Sequence, residues 1–343
     1  MNEPVIQLAH GGGGQMSAEL LAEVILPALG GEVPARELMR GLTDSAVLEH
    51  VGSRIAFTTD SYVVQPLEFP GGDIGKLAIC GTVNDLAVAG AAPRALSLAL
   101  VLAEGLAVDV LRRVLRSAAD AAREASVSIV TGDTKVVERG ALDGMVINTA
   151  GLGEMLPQAR LGFERIGEGD RIVLSGPLGE HGLAVMCRRE GLGLASELQS
   201  DCAAIHVLTG ALLAELGADV HFMRDPTRGG LAAILAEIAQ GARRDIEIDQ
   251  RSIPTNPTAV AAAEILGLDL LTVANEGKLV AVVSADSADR AAQVLAKHGI
   301  ASQAAVIGTV AAARDGPLVE MVTHVGGRRV VQMPYGEELP RIC

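Results

Sequence analysis

Strand-like and helical runs interleaved along the whole chain predict a mixed α/β (α+β) protein of two domains. With 343 residues, the chain is long enough for two hydrophobic cores of ordinary size. Short apolar runs such as "RIAFTTDS", "ALSLALVL" and "MVINTAGLG" alternate with helical stretches such as "GKLAICGTVNDLAVAGA" and "DVLRRVLRSAADAAREA". Hydrophobic residues make up 49% of the chain but aromatics only 2%, with no Trp, so the cores must be built from Ala, Val, Leu and Ile.

Taken in order, the glycine run "AHGGGGQ" feeds the helical stretch "MSAELLAEVILPALGG", with Ser17 as its expected cap. Residues 1–42 form this loop and helix. Residues 43–156 hold the first domain, with strands at "AVLEHV", "RIAFTTDS", "ALSLALVL", "VSIVTGD" and "MVINTAGLG". Residues 157–325 hold the second. There "GDRIVLSG" reads as a strand, and "GLAVMCRREG", "CAAIHVLTGALLAELG" and "GGLAAILAEIAQGA" read as helices. Strands are expected at "LLTVA", "KLVAVVS" and "AAVIGTV", with a helix at "SADRAAQVLAKHG". From Gly326 the periodicity stops, and 326–343 reads as a mobile tail ending in Cys343. Its last ten or so residues could extend about 30 Å, at about 3.3 Å each, enough to carry Cys343 into a cleft.

A net charge of −14 repels nucleic-acid phosphates and anionic lipid, so neither is an expected partner. Apolar runs fall well short of a membrane span, and "MNEPVIQLAH" lacks a secretory signal's basic-then-apolar order, so the expected location is cytoplasmic. The four cysteines form no C-x-x-C pair, and the histidines show no H-x-H or H-E-x-x-H spacing, which argues against a zinc site. Cys80, Cys187 and Cys202 read as core residues.

Several aspartates stand where an apolar run gives way to a turn: Asp44 in "GLTDSAV", Asp60 in "RIAFTTDS", Asp133 in "VSIVTGDT" and Asp225 in "MRDPTRGG". Most aspartates in such places cap helices or turns. Asp85, inside the small-residue helix "GTVNDLAVAG", does not fit that role and needs a cationic partner if buried. Mg²⁺ would supply one, since it prefers carboxylate oxygens and bridges to nucleotide phosphates. In "VTGDTKVV", Gly132 would let the backbone approach a phosphate, and Lys135 could meet its charge. There is no Walker-type P-loop.

Together, "TTDSYVVQPLEFPGGDIGKLAICGTVNDLAVAGAAPRALSLALVL", "VTGDTKVV", "RDPTRGGLA", "NEGKLV" and the final "PRIC" closely resemble the ATP-dependent family of aminoimidazole ribonucleotide synthetase, selenophosphate synthetase and thiamine-monophosphate kinase. The resemblance is strongest to its hydrogenase-maturation branch. It implies an N-terminal domain that dimerises so that strands of two subunits form a β-barrel, and a C-terminal α/β sandwich. It implies that Asp44, Asp60, Asp85 and Asp225 hold Mg²⁺ and ATP phosphates. Asn84, Thr131, Gly132, Asp133 and the loop Gly11 to Gly14 would then line the nucleotide. Ser45 stands where a second acidic residue is common, which leaves the number of metal ions open.

In that branch the acceptor is the protein's own terminal cysteine. The implied reaction is ATP-dependent dehydration of an S-carbamoyl group on Cys343 to S-cyanocysteine, the cyanide source for the iron of nickel-iron hydrogenase. Implied partners are a second copy of the chain, the carbamoyltransferase HypF and the HypC and HypD iron scaffold. Lys135 is the candidate for stabilising the transferring phosphoryl group, and Glu276, in "TVANEGKLV", the candidate base. Two alternatives stay open: a non-catalytic carrier whose nucleotide gates the tail, and a selenophosphate synthetase-like enzyme. The latter would need a reactive cysteine near the glycine loop, and "LAHGGGGQMS" has none.

Overall fold

The computed structural model describes residues 14–20, 22–23, 46–50, 53–314, 316–336, 339 and 341–343. A short helix, α1 (Gln15–Leu20), begins the described chain. Its first bond runs from the Ala18 N–H to the Gly14 carbonyl. Ser17 therefore lies inside the helix rather than at its cap, a correction to the sequence expectation.

The first domain follows as β1 (Ala46–His50), β2 (Ser53–Tyr62), the small hairpin β3 (Glu68–Phe69) and β4 (Gly72–Asp73), and α2 (Ile74–Val88). It continues with β5 (Ala91–Ala103), α3 (Val108–Glu124), β6 (Ser128–Val137) and β7 (Met145–Met155). The main sheet runs β1-β2-β7-β5-β6, antiparallel except for the β5/β6 pair. That one parallel pair needs a long crossover, and α3 supplies it. Asp73 caps α2, its Oδ1 accepting from the Gly75 and Lys76 N–H groups. Apolar almost all round, α2 is a core helix and packs across β2, β5 and β7. On the opposite face, Phe57 and Leu152 sit directly across from each other, both exposed. In the single chain this sheet is open, and no closed barrel occurs among the described residues.

The second domain comprises β8 (Arg171–Leu174), α4 (Glu180–Arg189), α5 (His206–Leu216), β9 (Val220–Arg224), α6 (Gly230–Ala242), β10 (Arg244–Asp249) and α7 (Pro257–Leu266). It ends with β11 (Val280–Val283), α8 (Ala288–Ala296), β12 (Ala305–Ala312), β13 (Val319–Val322) and β14 (Arg328–Val330). The strand order is β14-β13-β10-β12-β8-β11-β9, antiparallel but for β10/β13. Alternation decides the layers. Ile172, Leu174, Val280 and Val282 point into one core with α6, whereas Val173, Ala281 and Val283 point into another with α5 and α8. The result is the expected α/β sandwich.

Two local expectations are corrected. Leu270–Ala274 is no strand: the Leu271 carbonyl accepts from Ala232 at the start of α6, and the following Asn275 N–H donates to the Pro226 carbonyl. Asp133 lies in mid-strand, because β6 follows β5 as far as the Val137–Ala103 pair. The segment expected as a tail contributes the edge strand β14, and its last residues return to the crevice between the domains.

Candidate active site

The crevice is closed by hydrogen bonds that cross from one domain to the other. Asn84 on α2 donates through Nδ2 to the carbonyls of Ala203 (3.1 Å) and Glu276 (3.2 Å), while its Oδ1 accepts from the Ile205 N–H (2.8 Å). Arg189 on α4 donates to the Gln65 carbonyl, and the Ser200 N–H to that of Pro70. An amide fully engaged in this way fixes the segment that presents Glu276.

Glu276 is buried, 2% exposed, rather than projected on a turn. The Asp201 carboxylate accepts from the backbone N–H groups of Glu276 and Gly277 (both 3.2 Å) and pairs with Lys278 (3.4 Å). Lys278 pairs in turn with Glu180 at 2.9 Å. Burial opposes the Lys278 charge, but Asp201 and Glu180 together hold the ammonium protonated. Gly277 is needed because a Cβ there would lie 1.9 Å from the Asp201 carbonyl oxygen. Burial, then the charges of Asp225, Asp201 and Asp60, push the Glu276 carboxyl well above the usual range, against the pull of Arg228. Its Oε1 has no hydrogen-bond partner among the described residues.

The chain end enters beside Glu276. The Val63 N–H donates to the Cys343 carbonyl (3.3 Å) and the Gln65 N–H to that of Arg341 (3.1 Å), an antiparallel pairing just past β2. Ile342, 3% exposed, is packed into the core of the first domain. The Cys343 thiol comes to the side of the Glu276 carboxyl; burial and then Glu276 raise its pKa, while Arg228 opposes. Arg228 keeps an exposed surface, yet its coupling to Cys343 when ionised, and to Asp60 and Glu276, favours the protonated guanidinium more than usual. Negative charge developing at the sulfur would meet this cation.

Asp60 and Asp85 join the same wall. Both, with Glu276, act on the buried Tyr62 hydroxyl, whose pKa is raised first by burial and then by these charges. Tyr62 lies 3.2 Å from the Thr82 hydroxyl. Gly81 makes room for it, since a Cβ there would fall 2.4 Å from the Tyr62 oxygen. Thr58 donates to Asp85 at 2.8 Å, giving the half-buried helical carboxylate a polar partner instead of a cap role.

Asp60, Asp85, Asp225, Glu276 and Cys343 thus gather in one crevice. Thr131, Gly132, Asp133 and Lys135 lie elsewhere, on the exposed edge strand β6, where Lys135 pairs with Asp133 at 3.0 Å. Asp44 and Gly11 to Gly13 lie outside the described residues. Tyr62, His181, Arg189, Asp201, Arg228 and Lys278 are site residues that sequence reasoning missed. Arg228 in "RDPTRGG", Lys278 in "NEGKLV" and Tyr62 in "TTDSYVV" lie inside motifs that the sequence singles out, whereas His181, Arg189 and Asp201 have no such local signal.

Comparison with known proteins matches residues 42–155 to "AIR synthase related protein, N-terminal domain" and 167–319 to the C-terminal domain of the same name. Carbamoyl dehydratase HypE of Rhizobium leguminosarum bv. viciae is 46% identical over 338 residues, 98% of this chain and 95% of that protein. The HypE of Escherichia coli K12 is 44% identical, covering 98% and 99%. Among solved structures, one of a HypE–HypF complex superposes with a TM-score of 0.84 at 41% identity, covering 92% of this chain and 99% of that one. One of HypE in complex with ATP gives 0.82 at 42%, covering 99% and 100%. The chain belongs to the AIR synthase-related family and, within it, to the carbamoyl dehydratases named HypE, a family of enzymes of hydrogenase maturation.

Proposed function

We propose that the protein uses ATP to dehydrate a carbamoyl group carried on Cys343, leaving S-cyanocysteine for the iron of nickel-iron hydrogenase. The observation that carries this is the return of the chain end to the crevice, its main chain paired with Val63 and Gln65, which brings Cys343 into the field of the buried Glu276 carboxyl and of Arg228. In S–C(=O)–NH₂ the oxygen leaves too poorly as hydroxide at neutral pH. Transfer of the ATP terminal phosphoryl group to that oxygen gives a phosphate leaving group, and loss of both nitrogen protons then forms C≡N. The products are S-cyanocysteine, ADP, phosphate and one proton. Glu276 would accept a nitrogen proton, and Arg228 would steady negative charge. Lys135, with Thr131, Gly132 and Asp133, serves the phosphoryl group.

Among the described residues no three metal-ligating side chains gather closely enough to hold an ion by themselves. Mg²⁺ commonly takes only one or two carboxylates with the phosphates. Asp60, Asp85 and Asp225, joined by Asp44, suit a cation arriving with the nucleotide, because Asp60 and Asp225 add negative charge beside Glu276. Such an ion would offset that charge and the charge on the transferring phosphoryl group. Asn84 supports this site through the backbone it holds.

The uncovered sheet face with Phe57 and Leu152 fits a homodimer in which two such sheets close a barrel. The likeness to a HypE–HypF complex supports HypF as a partner; in this reading HypF supplies the carbamoyl group, HypC and HypD accept the cyanide, and the setting is cytoplasmic. No described helix is long and apolar enough to cross a membrane. Carbamoylated protein given magnesium ATP should lose the mass of one water while ADP and phosphate form in equal amounts. Retention of the full carbamoyl mass would instead make the chain a nucleotide-gated carrier.

A further inference from the structure

The tail is gripped by its backbone, and one grip comes from a histidine with no other evident task. His181, at the start of α4, is fully buried, its ring edge-on to Phe69 at 5.3 Å. Its Nε2 lies 2.9 Å from the Ile342 carbonyl oxygen, and its Nδ1 lies 2.8 Å from the Ser200 hydroxyl. A carbonyl oxygen only accepts, so Nε2 carries the hydrogen. Burial lowers the pKa of His181 and keeps the ring neutral, so Nδ1 must accept. The Ser200 hydroxyl supplies that hydrogen while its oxygen accepts from the Cys202 N–H at 3.0 Å. A directional relay therefore runs from the Cys202 amide through Ser200 and His181 to the tail.

The relay depends on both domains being together. Ser200 is anchored by its own N–H on the Pro70 carbonyl of the first domain, whereas His181 belongs to the second. Arg189, two turns along α4, makes a parallel grip, donating to the Arg341 carbonyl at 2.9 Å and to the Gln65 carbonyl. Together with the Val63 and Gln65 amides, these groups engage the carbonyls of 341, 342 and 343 in turn. This is recognition of an extended segment by its main chain, with the Ile342 side chain as the buried anchor.

We infer that His181 is a positioning residue: its Nε2–H, held in the correct tautomer by Ser200, fixes the penultimate carbonyl so that the Cys343 sulfur stays against Glu276. The inference rests on the proposed reaction for its purpose but not for its test. A group fixed by backbone contacts on both sides of its Cα keeps the reacting atoms in register, and loss of one contact lets the sulfur leave the carboxyl.

The test uses the full chain, unmodified at Cys343, and follows the rate at which a neutral alkylating reagent labels Cys343, read by mass mapping of the terminal peptide. His181→Leu keeps an apolar side chain beside Phe69 but has no donor, and should raise the labelling rate about tenfold. His181→Gln, whose amide can still donate to the carbonyl, should restore most of the protection. Ser200→Ala leaves the histidine in place without its tautomer-setting hydrogen and should raise labelling severalfold, which keeps the test decisive if the leucine variant does not fold. Wild-type labelling in both His181→Leu and Ser200→Ala would overturn the inference, as would equal labelling of the Leu and Gln variants. In carbamoylated protein the Leu variant should slow dehydration while ATP binding is unchanged. A wild-type protein that never dehydrates would remove the reaction reading and leave the labelling result standing.

Discussion

Replacing Glu276 with glutamine is expected to slow water loss from carbamoylated Cys343 by roughly 10²–10⁴-fold, the usual worth of a positioned general base, while leaving ATP binding unchanged. Glutamine keeps the shape of the side chain and the backbone bonds to Asp201, so the segment should stay in place. What it loses is the ability to take a proton. The pH dependence sharpens the expectation. Burial and the neighbouring Asp225, Asp201 and Asp60 raise the Glu276 pKa, so the carboxyl holds its proton at pH values where an exposed glutamate is ionised. Only the ionised form is a base. The wild-type rate should therefore rise as pH increases through the elevated pKa, and the glutamine variant should show no such rise. A variant that cyanates at the wild-type rate would remove Glu276 from the mechanism.

Inactive chains carrying Glu276→Gln and Lys135→Met are expected to restore activity when mixed as heterodimers. Within one chain, Tyr62 pairs with Ile147, Ile147 with Leu100, and Leu100 with Thr134. Lys135, next along β6, is thus three strand spacings from the segment that holds Cys343, about 14 Å at roughly 4.8 Å per spacing. A lysine side chain does not span that gap. If Lys135 and Glu276 serve the same carbamoyl group, the lysine must come from the partner subunit. Lys135→Met alone should lower activity by about 10²–10³-fold, as for loss of one group stabilising a developing charge. In a statistical mixture half the dimers are mixed, and each contains one intact site, so about a quarter of wild-type activity should return. Continued inactivity of the mixture, with mixed dimers demonstrated by mass, would place both groups in one chain or Lys135 outside the reaction.

Much of the scaffold could be read from local pattern. The strand β7 alternates cleanly between buried and less buried positions, and α2 and α3 differ in the way their sequences suggest, one apolar all round and the other with a polar face. Leu270–Ala274 misled because an apolar run fits a strand or any buried segment equally well, and its backbone partners, Ala232 and Pro226, are remote in sequence. Asp85 was recognisable as a carboxylate without an ordinary cap role, and Asp60 and Asp225 stood out from capping aspartates only through the family resemblance, whereas Asp73 follows the cap rule. His181, Arg189 and Asp201 were not legible, since each acts on a segment more than 70 residues away in the chain. No local spacing encodes such contacts. The buried state of Glu276 was equally hidden, because it follows from the closure made by Asn84 and Asp201 rather than from its neighbours in sequence.

The most direct measurement gives the protein a Cys343 carbamoyl group labelled with heavy oxygen, adds magnesium ATP, and determines the isotope content of the phosphate released. Phosphorylation of the carbamoyl oxygen followed by its expulsion requires that oxygen to leave in phosphate. The expected result is one heavy oxygen in each phosphate, together with an S-cyanocysteine at position 343. Unlabelled phosphate alongside an unchanged carbamoyl group would contradict the proposed chemistry, and unlabelled phosphate alongside a cyanated Cys343 would contradict the phosphorylated intermediate.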